Sequence, residues 1–150
     1  MSTSIQTSRI AFGKGAEYYI FSKMMLEGLN VYPSLVDDHG IDALVECPDG
    51  RICKVQVKAV SSDARDAKRP LFAAIEHPFI AIDDYWFVFY AEEGDRIWIM
   101  TSKEFLGECS RNSGEAKNKN KCSIKLGKNR DKYIVKDFSR LINNIQGLMI

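Results

Sequence analysis

Residues 40–58 read GIDALVECPDGRICKVQVK, two apolar-rich runs on either side of a Pro-Asp-Gly turn. Such runs, bounded by turn residues, read as strands over 41–47 and 51–58. The turn fixes which side chains share a face. A three-residue loop of Pro48, Asp49 and Gly50, with Gly50 in the left-handed position such loops need, pairs Cys47 with Arg51. Asp42 then lies opposite Gln56, and Ile41, Ala43 and Val45 lie opposite Val57, Val55 and Cys53. One face is wholly apolar, and the other carries Asp42, Leu44, Glu46, Ile52, Lys54, Gln56 and Lys58. A two-residue Asp-Gly turn sets Asp42 opposite Val57 and mixes the faces, so the first register is preferred.

In that register Asp42, Gln56 and Lys58 converge at one end of the hairpin. Cross-strand Cβ atoms lie about 5 Å apart, and residues two apart on a strand share a face. A carboxylate, an amide oxygen and an ammonium at that range suit a hard cation and a bound water. Mg²⁺ takes few protein ligands and keeps waters and phosphate oxygens. A lysine there can orient or help deprotonate an attacking water, or stabilise charge on phosphate. An Asp–Lys pair across a hairpin is also a common surface pair of small energetic weight, so both readings stand.

Moving outward, residues 13–28, GKGAEYYIFSKMMLEG, read as a helix stopped by Gly28, with Ile20, Phe21 and Met24 as its apolar stripe. Glu17, three and four residues before Ile20 and Phe21, falls on the same stripe. LNVYPSLV reads as a short strand, at a sheet edge because of Pro33. Residues 59–70 read as loop, and 71–84 fit either strand or helix. YWFVFYA and RIWIMT are strong strands around EEGD. SKEFLGE reads as a short helix capped by its serine. Short strands are expected at 122–126 and 132–135, and DFSRLINNIQ as a closing amphipathic helix. The order αβββ, further strands and terminal helices predicts a single α/β domain over 1–150, an α+β mixed sheet rather than a doubly wound fold.

The 150 residues are 45% hydrophobic and 27% charged, ordinary for a soluble globular chain. No apolar run is long enough for a membrane span and no secretory pattern opens the chain, so a cytoplasmic protein is expected. Cys47, Cys53, Cys109 and Cys122 form no CxxC pair and read as reduced thiols. The net charge is +1, but its distribution is uneven. Residues 1–110 hold 11 basic and 17 acidic residues (−6), whereas 111–136 hold 9 basic and 2 acidic (+7). Such a segment fits a phosphate-binding patch or a solvated loop. The DNA-contact candidates are Lys14, Lys54, Lys68, Arg69, Lys117, Lys119, Lys121, Lys125, Lys128 and Arg130. Asn118, Asn120 and Asn129 among them are candidates to read base edges.

Together, the helix with Glu17, the strand, GID, the turn and VQVK resemble the core of the PD-(D/E)xK, restriction-endonuclease-like nuclease superfamily. The resemblance covers residues 13–60. The motif Asp matches Asp42, the (D/E) position matches Gln56, the Lys matches Lys58, and a further helix-one acid matches Glu17. The literal Pro48-Asp49 lies in the turn, at the far end from Lys58, and is not the motif. Gln56 departs from the usual acid and resembles the group I intron homing endonuclease branch. Glu17 is then the acid that compensates for the missing charge. The resemblance implies a Mg²⁺-dependent endonuclease acting on double-stranded DNA. Asp42 and the Val57 carbonyl would hold the metal, Glu17 would hold a second metal or a metal-bound water, Gln56 would position water or ligate, and Lys58 would activate water. Asp38 and His39 flank the site, with His39 either a proton shuttle or a surface residue. Cutting both strands with one site per chain implies a homodimer or higher homo-oligomer. The alternatives are an inactive nuclease-fold DNA-binding module, a resolvase- or restriction-like nuclease in repair or defence, and a protein-interaction domain.

Overall fold

The computed structural model describes residues 2–38, 40–111 and 121–147, with the side chains of 2–8, 37–38 and 128 outside the description. The fold is mixed α+β. Helix α1 (Ser2–Leu26) leads into β1 (Asn30–Asp38), β2 (Ile41–Glu46) and β3 (Ile52–Val60). Then come β4 (Leu71–Glu76), β5 (Tyr85–Ala91), β6 (Arg96–Thr101) and α2 (Ser102–Glu108). Strands β7 (Ser110–Arg111) and β8 (Lys121–Lys125), a 3-10 turn at Lys128–Tyr133, β9 (Ile134–Val135) and α3 (Ser139–Ile142) complete the chain. Six strands form one sheet in the order β1-β2-β3-β5-β6-β9, and β4-β8-β7 form a second.

The hairpin adopts the expected register. Ala43 pairs with Val55 and Val45 with Cys53. The Cys47 N–H donates to the Arg51 carbonyl at 2.8 Å, and Gly50 has φ +88°. Ala43, Val45, Cys53, Val55 and Val57 are buried under α1, against Ala16, Ile20, Phe21 and Met24. On the other face Leu44 and Ile52 stay exposed, as the alternation requires. Two placements differ from expectation at the hairpin's open end. Ile41 packs against the opposite cluster, the one that contains Phe87 and Tyr85, and Gln56 is only 2% exposed. Strand β3 lies parallel to β5, with Gln56 beside Phe87, so the small sheet that covers Tyr85 and Phe87 covers Gln56 as well.

YWFVFYA is buried at every position because both its faces are covered. Trp86, Val88 and Tyr90 meet α1, while Tyr85, Phe87 and Phe89 meet β4, β8 and α2. The second sheet settles residues 71–84: Leu71–Glu76 is a strand, antiparallel to β8. The strand expected over 122–126 is β8, and that over 132–135 shortens to β9 after the 3-10 turn.

Three further boundaries depart from the sequence reading. Helix α1 begins well before Gly13. That glycine and Gly15 lie in its interior, with open space around them, where glycine costs only about 1 kcal/mol. Its end is as expected: Gly28 is left-handed at φ +93°, and the Leu29 and Gly28 N–H groups close back onto Met24 and Met25. Helix α2 is capped by Thr101 rather than Ser102, in a reciprocal capping box with Glu104. The closing helix is a single turn, because Arg140 takes the Ile145 and Gln146 carbonyls and folds the following chain back upon it. The four cysteines are free thiols. No helix among the described residues is long and apolar enough to cross a membrane.

Candidate active site at the open end of the hairpin

Strand β1 pairs regularly with β2 from Asn30 to Pro33, then slips before Asp38 meets Ile41. Pro33 has no N–H to continue the ladder, and the slip opens the sheet edge. Helix α1 passes over the same end. Between them lies an open cleft of about 450 Å³. Its wall on the helix side holds Gly13, Lys14 and Glu17, and its floor holds Asp42, Val57, Lys58 and Ala59.

Asp42 is fixed by the backbone. Its Oδ2 accepts the Val57 N–H at 2.7 Å, taking a donor just beyond the last regular pair of the hairpin. The carboxylate thus ends the β2–β3 ladder and is held beside β3. Glu17 has a side chain 16% exposed and accepts an ion pair from Lys14 Nζ at 3.1 Å. That hydrogen bond and charge, with a smaller contribution from Asp42, raise the Lys14 ammonium above its ordinary pKa.

Gln56 lies behind the cleft rather than on its lining. Its Oε1 accepts the Tyr85 hydroxyl at 3.0 Å, and the same hydroxyl reaches the Gly40 carbonyl at 3.4 Å. The amide is pressed against Gly40: a Cβ on that residue, at φ +75°, meets Gln56 Nε2 at 3.0 Å. Burial, and then the Asp42 charge, raise the Tyr85 phenol far above its ordinary pKa, so it is a standing donor. Tyr85 adjoins the cleft, although its place in YWFVFYA marks it as core. Its signal was an O–H at the head of a buried strand, which always needs a partner.

The structure therefore brings Glu17, Asp42, Val57 and Lys58 to one cleft, with Lys14 beside them, and sets Gln56 behind. Asp49 is in the turn at the other end, accepting from Arg51. His39 and the side chain of Asp38 lie outside the described residues. No group of three His, Cys, Asp or Glu that could hold a metal occurs among the described residues.

The basic candidates divide. Lys68, Arg69 and Lys125 are exposed and make no ion pair with a described residue. Lys54 is exposed on the hairpin face away from α1. Lys121 is half-buried in β8. Arg130 is neutralised by Glu108 at 2.8 Å and donates to the Lys125 and Glu108 carbonyls. Lys117, Lys119, Asn118, Asn120 and the side chain of Lys128 lie outside the described residues. Asn129 is exposed beside Arg69 and Lys125.

No protein-family model matches the chain, and neither does any curated protein. Among solved structures it is similar to a bacterial homing endonuclease, I-Ssp6803I, with a TM-score of 0.60 at 17% identity, over 89% of this chain and 92% of that one. The likeness is one of fold, and at 89% of the chain it extends well beyond the hairpin region.

Proposed function

We propose that this protein is a metal-dependent DNA endonuclease of the PD-(D/E)xK type with a glutamine-variant motif, a homing-type enzyme, hydrolysing phosphodiester bonds in double-stranded DNA. The observation that carries the reading is the convergence of Glu17, Asp42, Val57 and Lys58 on one cleft where α1 crosses the open hairpin. The likeness of fold to a homing endonuclease supports it.

The donor set fits Mg²⁺. Two carboxylates and a main-chain carbonyl are hard oxygen donors, and Mg²⁺ commonly takes only one or two carboxylates, completing its shell with water and phosphate. Asp42, Glu17 and the Val57 carbonyl are the residues that would hold it. When bound, it supplies an acidified water and counter-charge for phosphate. The chain itself supplies orientation. The Val57 N–H holds Asp42, and Lys14 holds Glu17 until a cation competes for that carboxylate. Lys58 presents an ammonium at the cleft floor, where it stabilises charge developing on the phosphate oxygens and orients the attacking water. Gln56, tied to Tyr85, acts from behind by fixing the segment around Gly40 that leads into Asp42.

Cleavage of both strands by one site per chain favours two copies acting together. The edge strand β1 exposes Leu35 and Val36 next to the cleft, an apolar strip suited to a second copy. Light scattering of the purified protein tests this, and a monomer at every concentration overturns it.

The nuclease reading is tested by plasmid nicking with Mg²⁺ and with chelator. Wild type is expected to nick only with the metal, and Lys58→Ala and Asp42→Asn to be inactive yet still bind DNA. A second reading, a DNA-binding module without catalysis, is favoured by one observation: Gln56 supplies no charge and its oxygen is already engaged by Tyr85. It becomes the correct reading if wild type shifts duplex DNA but stays inert with both Mg²⁺ and Mn²⁺.

A further inference from the structure

The candidate active site does not end at its own walls. It shares Gly13 and Ala59 with a neighbouring cleft that holds Arg9 and Arg65. That cleft shares Ala64 and Arg65 with a third, which holds Lys68 and Arg69. Arg69 in turn lines a fourth, beside Lys125 and Asn129. A continuous furrow thus runs from the hairpin's open end, along loop 61–70, to strand β8.

The loop that forms the middle of this furrow is built rather than slack. Its turns close through Ala64 onto Ser61, Ala67 onto Ala64 and Arg69 onto Asp66. Arg96 donates to the Ala67 and Lys68 carbonyls at 2.9 and 3.2 Å, and the Leu126 N–H takes the Pro70 carbonyl at 2.8 Å. Ala67 and Pro70 are buried beneath it.

The acids and the bases along the furrow are employed differently. Glu92 accepts from both the N–H and hydroxyl of Ser62, and Asp66 accepts from the Leu71 N–H. Both carboxylates are thereby engaged by the loop, but Glu92 stays exposed, so the acids on the furrow's surface are Asp63, Glu92 and Glu93. Arg9, Arg65, Lys68, Arg69 and Lys125 are all exposed, and none is ion-paired with a described residue. Cations held by a pinned loop, unneutralised and aligned in a furrow, match the repeating charge of a phosphodiester backbone.

We propose that the furrow along loop 61–70 is the path of one DNA strand leaving the active site, with Arg65, Lys68 and Arg69 as its phosphate contacts. This rests on the nuclease reading for the identity of the ligand. It adds Arg9 and Arg65 to the DNA surface and leaves Lys54, on the hairpin face away from α1, out of it; Arg130 lines the far end of the furrow beside Arg69 but is neutralised by Glu108.

The test is binding of a fluorescein-labelled duplex, followed by anisotropy over a range of salt concentrations in chelator so that nothing is cut. Each phosphate contact contributes about 0.9 to the slope of log K against log salt. Removing three with Arg65→Ala, Lys68→Ala and Arg69→Ala together is expected to flatten the slope by about 2.7. A control that removes the same charge elsewhere, Lys23→Ala, Lys103→Ala and Lys136→Ala together, should leave it unchanged. Fluorescence of the buried Trp86 and Trp98 checks that both variants are folded. If wild type binds but the two triple variants lose slope equally, or the loop variant loses none, the path is overturned while the nuclease reading stands. If the loop variant alone loses slope and wild type never nicks DNA with metal, the path stands and the nuclease reading falls.

Discussion

Replacing Gly40 by alanine isolates the contact behind the cleft at the hairpin's open end. Two costs combine there. The first is conformational: φ of +75° is left-handed, and an L side chain in that region costs about 1–2 kcal/mol. The second is steric. The new Cβ would stand 3.0 Å from Gln56 Nε2 and 3.2 Å from its Cδ and Oε1, so the amide must retreat. Its oxygen is held by Tyr85 at 3.0 Å, and retreat strains or breaks a buried hydrogen bond, a further loss of about 1 kcal/mol. Gly50 provides the comparison. Its φ is +88°, but a Cβ there meets nothing within 4 Å, so Gly50→Ala incurs the conformational cost alone. Urea denaturation followed by tryptophan fluorescence should therefore find Gly40→Ala about 1 kcal/mol worse than Gly50→Ala, or roughly 2–4 °C further in Tm. Combining Gly40→Ala with Tyr85→Phe should cost less than the two separately, because both act through the same hydrogen bond. Equal costs for the two glycines together with an additive pair would refute the claim that Gln56 is clamped between Gly40 and Tyr85.

Other perturbations follow from buried polar groups away from the cleft. His77 is 1% exposed, with Nε2 against the Ser102 hydroxyl at 2.7 Å, and burial lowers its pKa to about 4. The unfolded chain, near the ordinary value of about 6.5, binds that proton first as pH falls. Stability from this group is thus full above about pH 6.5 and is lost down to about pH 4, by up to about 3 kcal/mol; His77→Leu should flatten that part of the urea-midpoint profile. Thr101→Ala removes the acceptor for the Glu104 N–H at 3.1 Å and should cost about 1 kcal/mol in denaturant titrations. Arg140→Ala strands the Glu104 carboxylate, bound now at 2.6 Å, together with the carbonyls of Ile99, Ile145 and Gln146. A loss of about 3–5 kcal/mol is expected by the same assay, and Arg140→Lys should recover only part of it.

The hairpin was legible because local chemistry decides it. Gly50 demands a particular turn, the turn demands a register, and the register sorts Val55 from Lys54. Gly28 ended α1 for the same kind of local reason. The Gln56 environment was not legible. It depends on β3 lying beside β5, whose residues begin almost thirty positions later, and no local signal announces a parallel pairing. Tyr85 was hidden for the same reason: in a strand buried on both faces, its hydroxyl looks like one more apolar position. The closing helix failed because its apolar spacing was real, yet Arg140 offered the downstream carbonyls a better partner than the helix did. Glu17, Asp42 and Lys58, which line the cleft, stand out by type, spacing and resemblance, whereas Arg9 and Arg65, which line its neighbour, needed the folded helix and loop to show where they stand.

The parallel pairing of β3 with β5 obliges the chain to leave the sheet and return, and loop 61–70 rides on that return journey. The hairpin closes through its own turn and draws nothing from the length of that excursion. Lengthening a flexible stretch twofold adds only about 0.6 kcal/mol of closure entropy, and residues inserted clear of the Ala67, Lys68 and Pro70 carbonyls leave the contacts that pin the loop in place. Descendants of this chain are therefore free to acquire or discard residues there while Asp42 and Lys58 keep their positions. Change in the length of the loop is uncoupled, by topology, from the placement of Asp42 and Lys58 at the hairpin's open end.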